Sequence, residues 1–222
     1  MRLLSVVGAS PGIGKSRLCA SLTEWLSDSG WLVDHFEEDH VLTRPAFAQV
    51  AADFTTTGRV DPAVLVDATV RYVTEAAVAG VEVIVMDSLI PYVPSLIALG
   101  YDEPQIAAIV DGLADRIAAF PTMAIFLDGD ASTSLGRAAA REGPDWLGWY
   151  AAKLARYGVL AAPEPNLDAL SDYLSRERAL TLRVLRRQPW ALSVVERVDE
   201  LSPEDVFEVV RHAVTGFCGP AP

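Results

Sequence analysis

The feature that most limits what this chain can become is a short loop near its start. An apolar run of Leu3, Leu4, Val6 and Val7 ends on Gly8 and is followed by Ala9-Ser10-Pro11-Gly12-Ile13-Gly14-Lys15-Ser16-Arg17. Beyond it Leu18, Leu22, Trp25 and Leu26 recur at helical spacing until Asp28-Ser29-Gly30 stops the pattern. A buried strand, a glycine-rich turn and an amphipathic helix are therefore expected in succession. The backbone N–H groups of such a turn curl around phosphate oxygens, and the helix adds the positive end of its dipole. In this pattern Lys15 reaches the β and γ phosphates, and the Ser16 hydroxyl enters the shell of a Mg²⁺ ion that the phosphates share. Residues Ala9 to Arg17 are thus the expected binding site for ATP. The only other lysine of the chain is Lys153, so Lys15 stands out in the N-terminal half.

The rest of the chain alternates short apolar runs with helical patterns. Arg2 to Gly8, Trp31 to Phe36, Val81 to Asp87, Thr122 to Asp128 and Ala191 to Val198 read as strands. Helical periods occupy roughly 45 to 54, 62 to 79 behind Asp61-Pro62, and 104 to 119. Such alternation predicts an α/β fold of right-handed βαβ units around a five-stranded parallel sheet, with ligands beyond the carboxyl ends of the strands. Ala131 to Pro189 is mostly helical and rich in arginine, and a helical lid is expected over about 131–165. With 222 residues the chain fits a single domain, 1–222, with a disordered tail over about 216–222.

Charge and composition exclude several function classes. Thirty acidic against 18 basic side chains give a net charge of -12, which repels polynucleotides and anionic membrane surfaces. The longest apolar runs fall well short of the roughly 20 residues that span a bilayer. Met1 to Ser5 leads straight into the loop with no signal-peptide pattern, so a cytoplasmic protein is expected. Cys19 and Cys218 have neither metal-site nor disulfide-framework spacing. The expected partner is a small-molecule acceptor, with a homodimer left open and neither nucleic acid nor membrane.

Two further groups of residues carry chemistry. Asp87 closes the run Val83-Ile84-Val85-Met86 and is placed to meet Mg²⁺ directly or through water. The second strand ends in Phe36-Glu37-Glu38-Asp39-His40, where a carboxylate can take the proton of an acceptor hydroxyl and align its oxygen for in-line attack. Glu38 and Asp39 are assigned to that catalytic position and Glu37 to acceptor binding, with Asp87 also able to serve as base.

With these elements in place the chain resembles the nucleoside and nucleotide kinases of the P-loop class, a group that includes thymidylate, deoxynucleoside and uridine kinases. The likeness rests on the loop, the acids after strand two, Asp87, and the stretch from Ile125 to Arg141. It implies a three-layer P-loop kinase fold with a helical lid, and an ATP-dependent transfer of the γ-phosphoryl group. By the same resemblance Arg137 and Arg141 close over ATP, one near the adenine and one stabilising charge on the transferring group.

The departures bear on the acceptor. The position after Asp87 is Ser88, where thymidylate kinases usually carry an arginine, and no proline follows the strand-two glutamate. Loss of that arginine among several acids favours an uncharged or cationic hydroxyl acceptor, a nucleoside or an aminoglycoside. Arg44 and Arg59 can supply the missing phosphate contact from elsewhere, which keeps a nucleoside monophosphate kinase as the alternative. Tyr92, in the insertion from Ile90 to Tyr101, is expected to shape the acceptor pocket. Regulatory ATPases that switch larger assemblies carry a similar loop and form a second alternative.

Overall fold

The computed structural model describes residues 1–8, 10–160 and 166–220. Its centre is a five-stranded, all-parallel sheet in the order β2-β3-β1-β4-β5. The strands are β1 (Arg2–Gly8), β2 (Val33–Phe36), β3 (Val83–Asp87), β4 (Thr122–Leu127) and β5 (Ala191–Val195). Successive side chains of a strand point to opposite faces, and both faces of the central strands are buried. Leu4, Val6, Val83 and Val85 point to one core; Leu3, Ile84 and Met86 point to the other.

The first core is covered by α1 (Lys15–Asp28) and α10 (Pro203–Cys218), through Leu18, Leu22, Leu26, Val206, Val210 and Val214. The second is covered by α4 (Pro62–Val78) and α6 (Glu103–Arg116), with Val184 of α9 (Leu167–Arg187). Between β2 and α4 lie α2 (His40–Thr43), a 3-10 turn at Pro45–Phe47 and α3 (Ala48–Thr57), and α5 (Val93–Ala98) follows β3. A third cluster, smaller and set apart, joins α7 (Ala131–Glu142) and α8 (Trp146–Arg156) to α9 through Leu135, Ala151, Leu154, Leu170 and Leu174.

Element ends follow local chemistry. Asp61 caps α4 ahead of Pro62, Asp102 and Gln105 form a reciprocal box on α6, and Asp130, Asn166 and Ser202 cap α7, α9 and α10. The strand expected from Val81 begins at Val83, because Gly80 turns at φ +86° and the Val81 amide still bonds Ala76 of α4. The strand expected to reach Val198 ends at Val195, where the chain turns through Arg197 at φ +52°. The tail expected to begin at Gly216 is instead helical through Cys218, whose buried side chain continues the apolar stripe of α10. Residues 221–222 and residues 161–165 of the expected lid lie outside the described residues. Among the described residues no helix is long and apolar enough to cross a membrane.

Candidate phosphotransfer site

Strand order brings the ends of β2, β3 and β1 side by side, and the loop between β1 and α1 lies there. Its glycines answer to contact at Gly8, to backbone angle at Gly14 and to both at Gly12. A Cβ at Gly8 would stand 2.5 Å from Ile13 Cγ2. At Gly12, with φ +79°, it would stand 2.4 Å from the Ser134 carbonyl oxygen of α7. Gly14, at φ +105°, is the N-cap residue of α1, and its carbonyl accepts the Leu18 amide at 3.0 Å. The loop is thus a cradle closed on one side by α7. Ser10 is 3% exposed and its hydroxyl is buried without a partner. An unpaired buried hydroxyl in the glycine-rich turn that leads to Lys15 fits a polar ligand such as the ATP phosphates. Ala9 lies outside the described residues.

Arg17 departs from the expected loop set. Its guanidinium turns away to Glu204 at 2.9 Å and ties α1 to α10. Asp87 is 3% exposed at the end of β3, opposite Val6 in the register, and accepts the Ser88 hydroxyl at 3.0 Å. Burial pushes the Cys19 thiol well above its ordinary range, with the Asp87 charge adding to the rise and the Lys15 charge opposing it. An oxygen set of the Ser16 hydroxyl and Asp87 suits a hard cation such as Mg²⁺.

The acids after β2 do not form one wall. Glu37, Glu38 and Asp39 are all exposed. Glu37, Asp39 and His40 bring ligand atoms within 4.8 Å of one another. Yet His40 Nδ1 already accepts the Glu37 amide at 3.0 Å and Arg44 Nε at 3.2 Å. Glu38 is on the same exposed turn, and its charge adds, after burial and Glu177, to raising the Tyr150 phenol of α8.

Arg44 corrects the sequence reading. Rather than leaning over an acceptor, it donates to both Asp34 oxygens at 2.6 and 2.8 Å and to the His35 carbonyl at 2.6 Å. Its guanidinium also lies 5.3 and 5.0 Å from the ring centroids of Phe36 and Tyr72. Tyr92 is a second correction: it is 4% exposed, at φ +61°, and its hydroxyl bonds Thr69 inside the second core. Arg59 is exposed on the turn after α3 and enters no ion pair among the described residues.

On the lid side, Arg137 donates to the Asp199 carbonyl at 2.9 Å and so links α7 to the loop after β5. Arg141 points to solvent and pairs with its neighbour Glu142 at 2.7 Å. Close to that linkage is a cleft of about 530 Å³ between the ends of β4 and β5 and α9. Asp128, Gly129, Arg178 and Asp199 line it, with Arg178 bonded to both Asp128 oxygens.

Three residues of the site escape a motif reading. His35 stands between Glu37 and Asp87, with a buried Nε2 that has no partner; burial depresses its basicity, and those two charges oppose the effect. Tyr173 and Glu177 of α9 form a hydrogen-bonded pair at 2.7 Å in reach of the Lys15 charge. A helical-wheel reading could have found Glu177, because Leu170, Tyr173, Leu174, Glu177 and Thr181 share one buried stripe.

No protein-family model matches the chain, and no curated protein matches it in sequence. Among solved structures, the deoxyadenosine kinase of M. mycoides with bound dATP superposes over 96% of this chain and 99% of its own, with a TM-score of 0.54. The fold is that of a P-loop kinase. At 15% identity the likeness is one of architecture. The described loop, Asp87 and the acids after β2 stand at the carboxyl ends of the strands, the side on which open α/β sheets bind their ligands.

Proposed function

We propose that the protein is an ATP-dependent phosphotransferase that moves the γ-phosphoryl group to a hydroxyl of a nucleoside-type small molecule. The observation that carries this reading is the convergence of Lys15, Asp87 and the Glu37-Glu38 pair at the ends of the adjacent strands β1, β3 and β2. Lys15 neutralises phosphate charge in the cradle closed by Gly12 and α7. Ser16 and Asp87 would hold Mg²⁺, which supplies charge neutralisation at the phosphates. A carboxylate of the turn after β2, Glu38 in this reading, accepts the proton of the acceptor hydroxyl. Arg137, anchored on the Asp199 carbonyl, keeps α7 against the nucleotide side.

The acid count alone suggests a cationic sugar as acceptor. In the structure Asp87 is buried and Glu37 and Asp39 face solvent beside His40, so among the described residues these acids do not form a single anionic wall to hold a polyamine. The superposition on a deoxyadenosine kinase supports the nucleoside class instead. A second reading, a nucleoside monophosphate as acceptor, is favoured by Arg59, a guanidinium with no ion-pair partner among the described residues.

The test is a product screen. The enzyme is incubated with Mg-ATP and equal amounts of deoxyadenosine, thymidine, thymidine monophosphate and an aminoglycoside, and each is followed by mass spectrometry for a gain of one phosphate. Preferred phosphorylation of a nucleoside is expected. Preference for the monophosphate, lost in Arg59→Ala, would establish the second reading. ATP turnover that ignores every acceptor would point to a regulatory ATPase.

A further inference from the structure

Among the described residues three that are not glycine hold a left-handed backbone: Ser88 at φ +59°, Tyr92 at φ +61° and Arg197 at φ +52°. A Cβ disfavours that region, so a residue stays there only where its surroundings fix the chain. Tyr92 is locked inside the second core by its bond to Thr69, and Arg197 lies on the exposed turn after β5, paired with Glu200 at 3.0 Å. Ser88 differs from both, because it directly follows Asp87 at the end of β3. Its conformation is fixed from β1. The Ser88 amide donates to the Val6 carbonyl at 3.0 Å, and the Ser5 hydroxyl donates to the Ile90 carbonyl at 2.5 Å. Leu89 and Ile90 are buried, so the segment after Asp87 cannot swing outward into an extended path.

The left-handed turn decides where the hydroxyl goes. Successive side chains of an extended strand point to opposite faces, so an extended Ser88 would carry its hydroxyl away from Asp87. Turned as it is, Ser88 donates to Asp87 Oδ1 at 3.0 Å. That is the one hydrogen bond the carboxylate receives among the described residues, and Asp87 is 3% exposed. Its second oxygen, Oδ2, is left with no protein donor there. Val6, which anchors the Ser88 amide, is also the residue opposite Asp87 in the register and leads through Val7 and Gly8 into the phosphate loop. One residue thus ties the carboxylate both to its own hydroxyl and to the strand that carries the loop. A carboxylate that ligates a metal is oriented by such a hydrogen bond, and loss of the partner weakens a metal site by about 10- to 100-fold.

We propose that Ser88 is a positioning residue of the cation site: its hydroxyl holds Asp87 Oδ1 and so leaves Oδ2 for the Mg²⁺ of the nucleotide. This inference rests on the reading of Asp87 as a Mg²⁺ residue. The strained backbone is the means, since only the left-handed turn returns the hydroxyl to the carboxylate that precedes it. Glycine would take the same turn freely and hold nothing, whereas asparagine tolerates it and carries an amide donor. The backbone and the hydroxyl can therefore be tested apart.

The experiment compares the full-length wild type with Ser88→Gly, Ser88→Asn and Asp87→Asn. Mn²⁺ is the probe: it is titrated into each protein mixed with an equal amount of ADP, and the free ion is read by electron paramagnetic resonance against ADP alone. Calorimetric titration with ATP in EDTA reports nucleotide binding without metal, and a thermal melt reports the fold. Ser88→Gly is expected to hold Mn²⁺ about 10-fold more weakly, while its ATP binding in EDTA and its melting temperature stay at or above the wild-type level. Ser88→Asn is expected to regain most of the Mn²⁺ affinity. Ser88→Gly holding Mn²⁺ as tightly as wild type, or losing ATP in EDTA in the same proportion as Mn²⁺, would overturn the proposal. If Asp87→Asn releases Mn²⁺ and Ser88→Gly does not, the failure belongs to Ser88 alone. Mn²⁺ held equally by wild type and Asp87→Asn removes the metal reading of Asp87 and this inference with it.

Discussion

The guanidinium of Arg44 is bonded to Asp34 and to the His35 carbonyl while it lies against Phe36 and Tyr72, so the turn that carries Glu37 and Glu38 is fastened to β2 from below. Burial works to raise the Asp34 carboxyl, but hydrogen bonds from Arg44 and Tyr72 and the Arg44 charge hold it below its ordinary value of 3.8. Its contribution to stability is therefore present above pH 3.8 and lost as pH falls through the lower folded value. Asp34→Asn is expected to cost about 1–3 kcal/mol in urea denaturation at pH 7, by leaving Arg44 without its partner, and to flatten this acid limb. At Lys15 the expectation is the reverse. Lys15→Ala should abolish phosphoryl transfer and leave the melting temperature nearly unchanged, because the side chain neutralises phosphate charge and contributes little to either core. Product formation and a thermal melt on the same preparation check both halves.

At the scale of elements, the contact between the phosphate loop and α7 decides how nucleotide and lid communicate. Gly12 and Gly136 separate two effects of the same substitution. Gly12→Ala adds a Cβ 2.4 Å from the Ser134 carbonyl at φ +79°, so either α7 or the loop must move. A loss of about 1–3 kcal/mol and weaker ATP binding are expected, measurable by denaturation and calorimetry. Gly136→Ala lies on the exposed side of the same helix with nothing within 4 Å, and is expected to stabilise by about 0.5–1 kcal/mol with activity kept. Arg137→Ala removes the tie from α7 to the Asp199 carbonyl. Because that bond is largely exposed, the melting temperature should barely change while kcat falls. Equal kcat in the variant would show that the tie does not serve the closed state.

For the molecule as a whole, the two large cores share the sheet, whereas the cluster of α7, α8 and α9 stands beside it. The buried apolar residues of α7 and α8 pack chiefly on one another and on the first turns of α9 and not on the sheet, so local opening there should precede global unfolding. Amide exchange is expected to be faster in α7 and α8 than in β1 and β4. Leu4→Ala, in the sheet core, should cost about 2–5 kcal/mol of global stability. Leu135→Ala should chiefly quicken exchange in α7 and α8. Uniform protection across the chain would instead join the lid cluster to the sheet as one cooperative unit.

The order of residues alone specified the strands, the helices that separate them, the phosphate loop and the strand-end position of Asp87. These follow from periodicity, caps and turn residues, which act over a few neighbours and are written in the local order of residues. It also marked the acids after β2. Which of the marked side chains are free to act was settled by packing in three dimensions. Arg44 is consumed by Asp34, Arg17 by Glu204, and Tyr92 by Thr69 inside the second core, while Arg59 remains unpaired among the described residues. The reason is physical: a polar side chain takes whichever partner removes its desolvation cost, and for Arg17, Tyr92 and Glu177 that partner or its absence is set by helices distant in sequence. Motif spacing contains no information about that packing, so Glu177, part of an ordinary helical stripe in the sequence, emerges as a buried carboxyl bonded to Tyr173 only once α9 is packed.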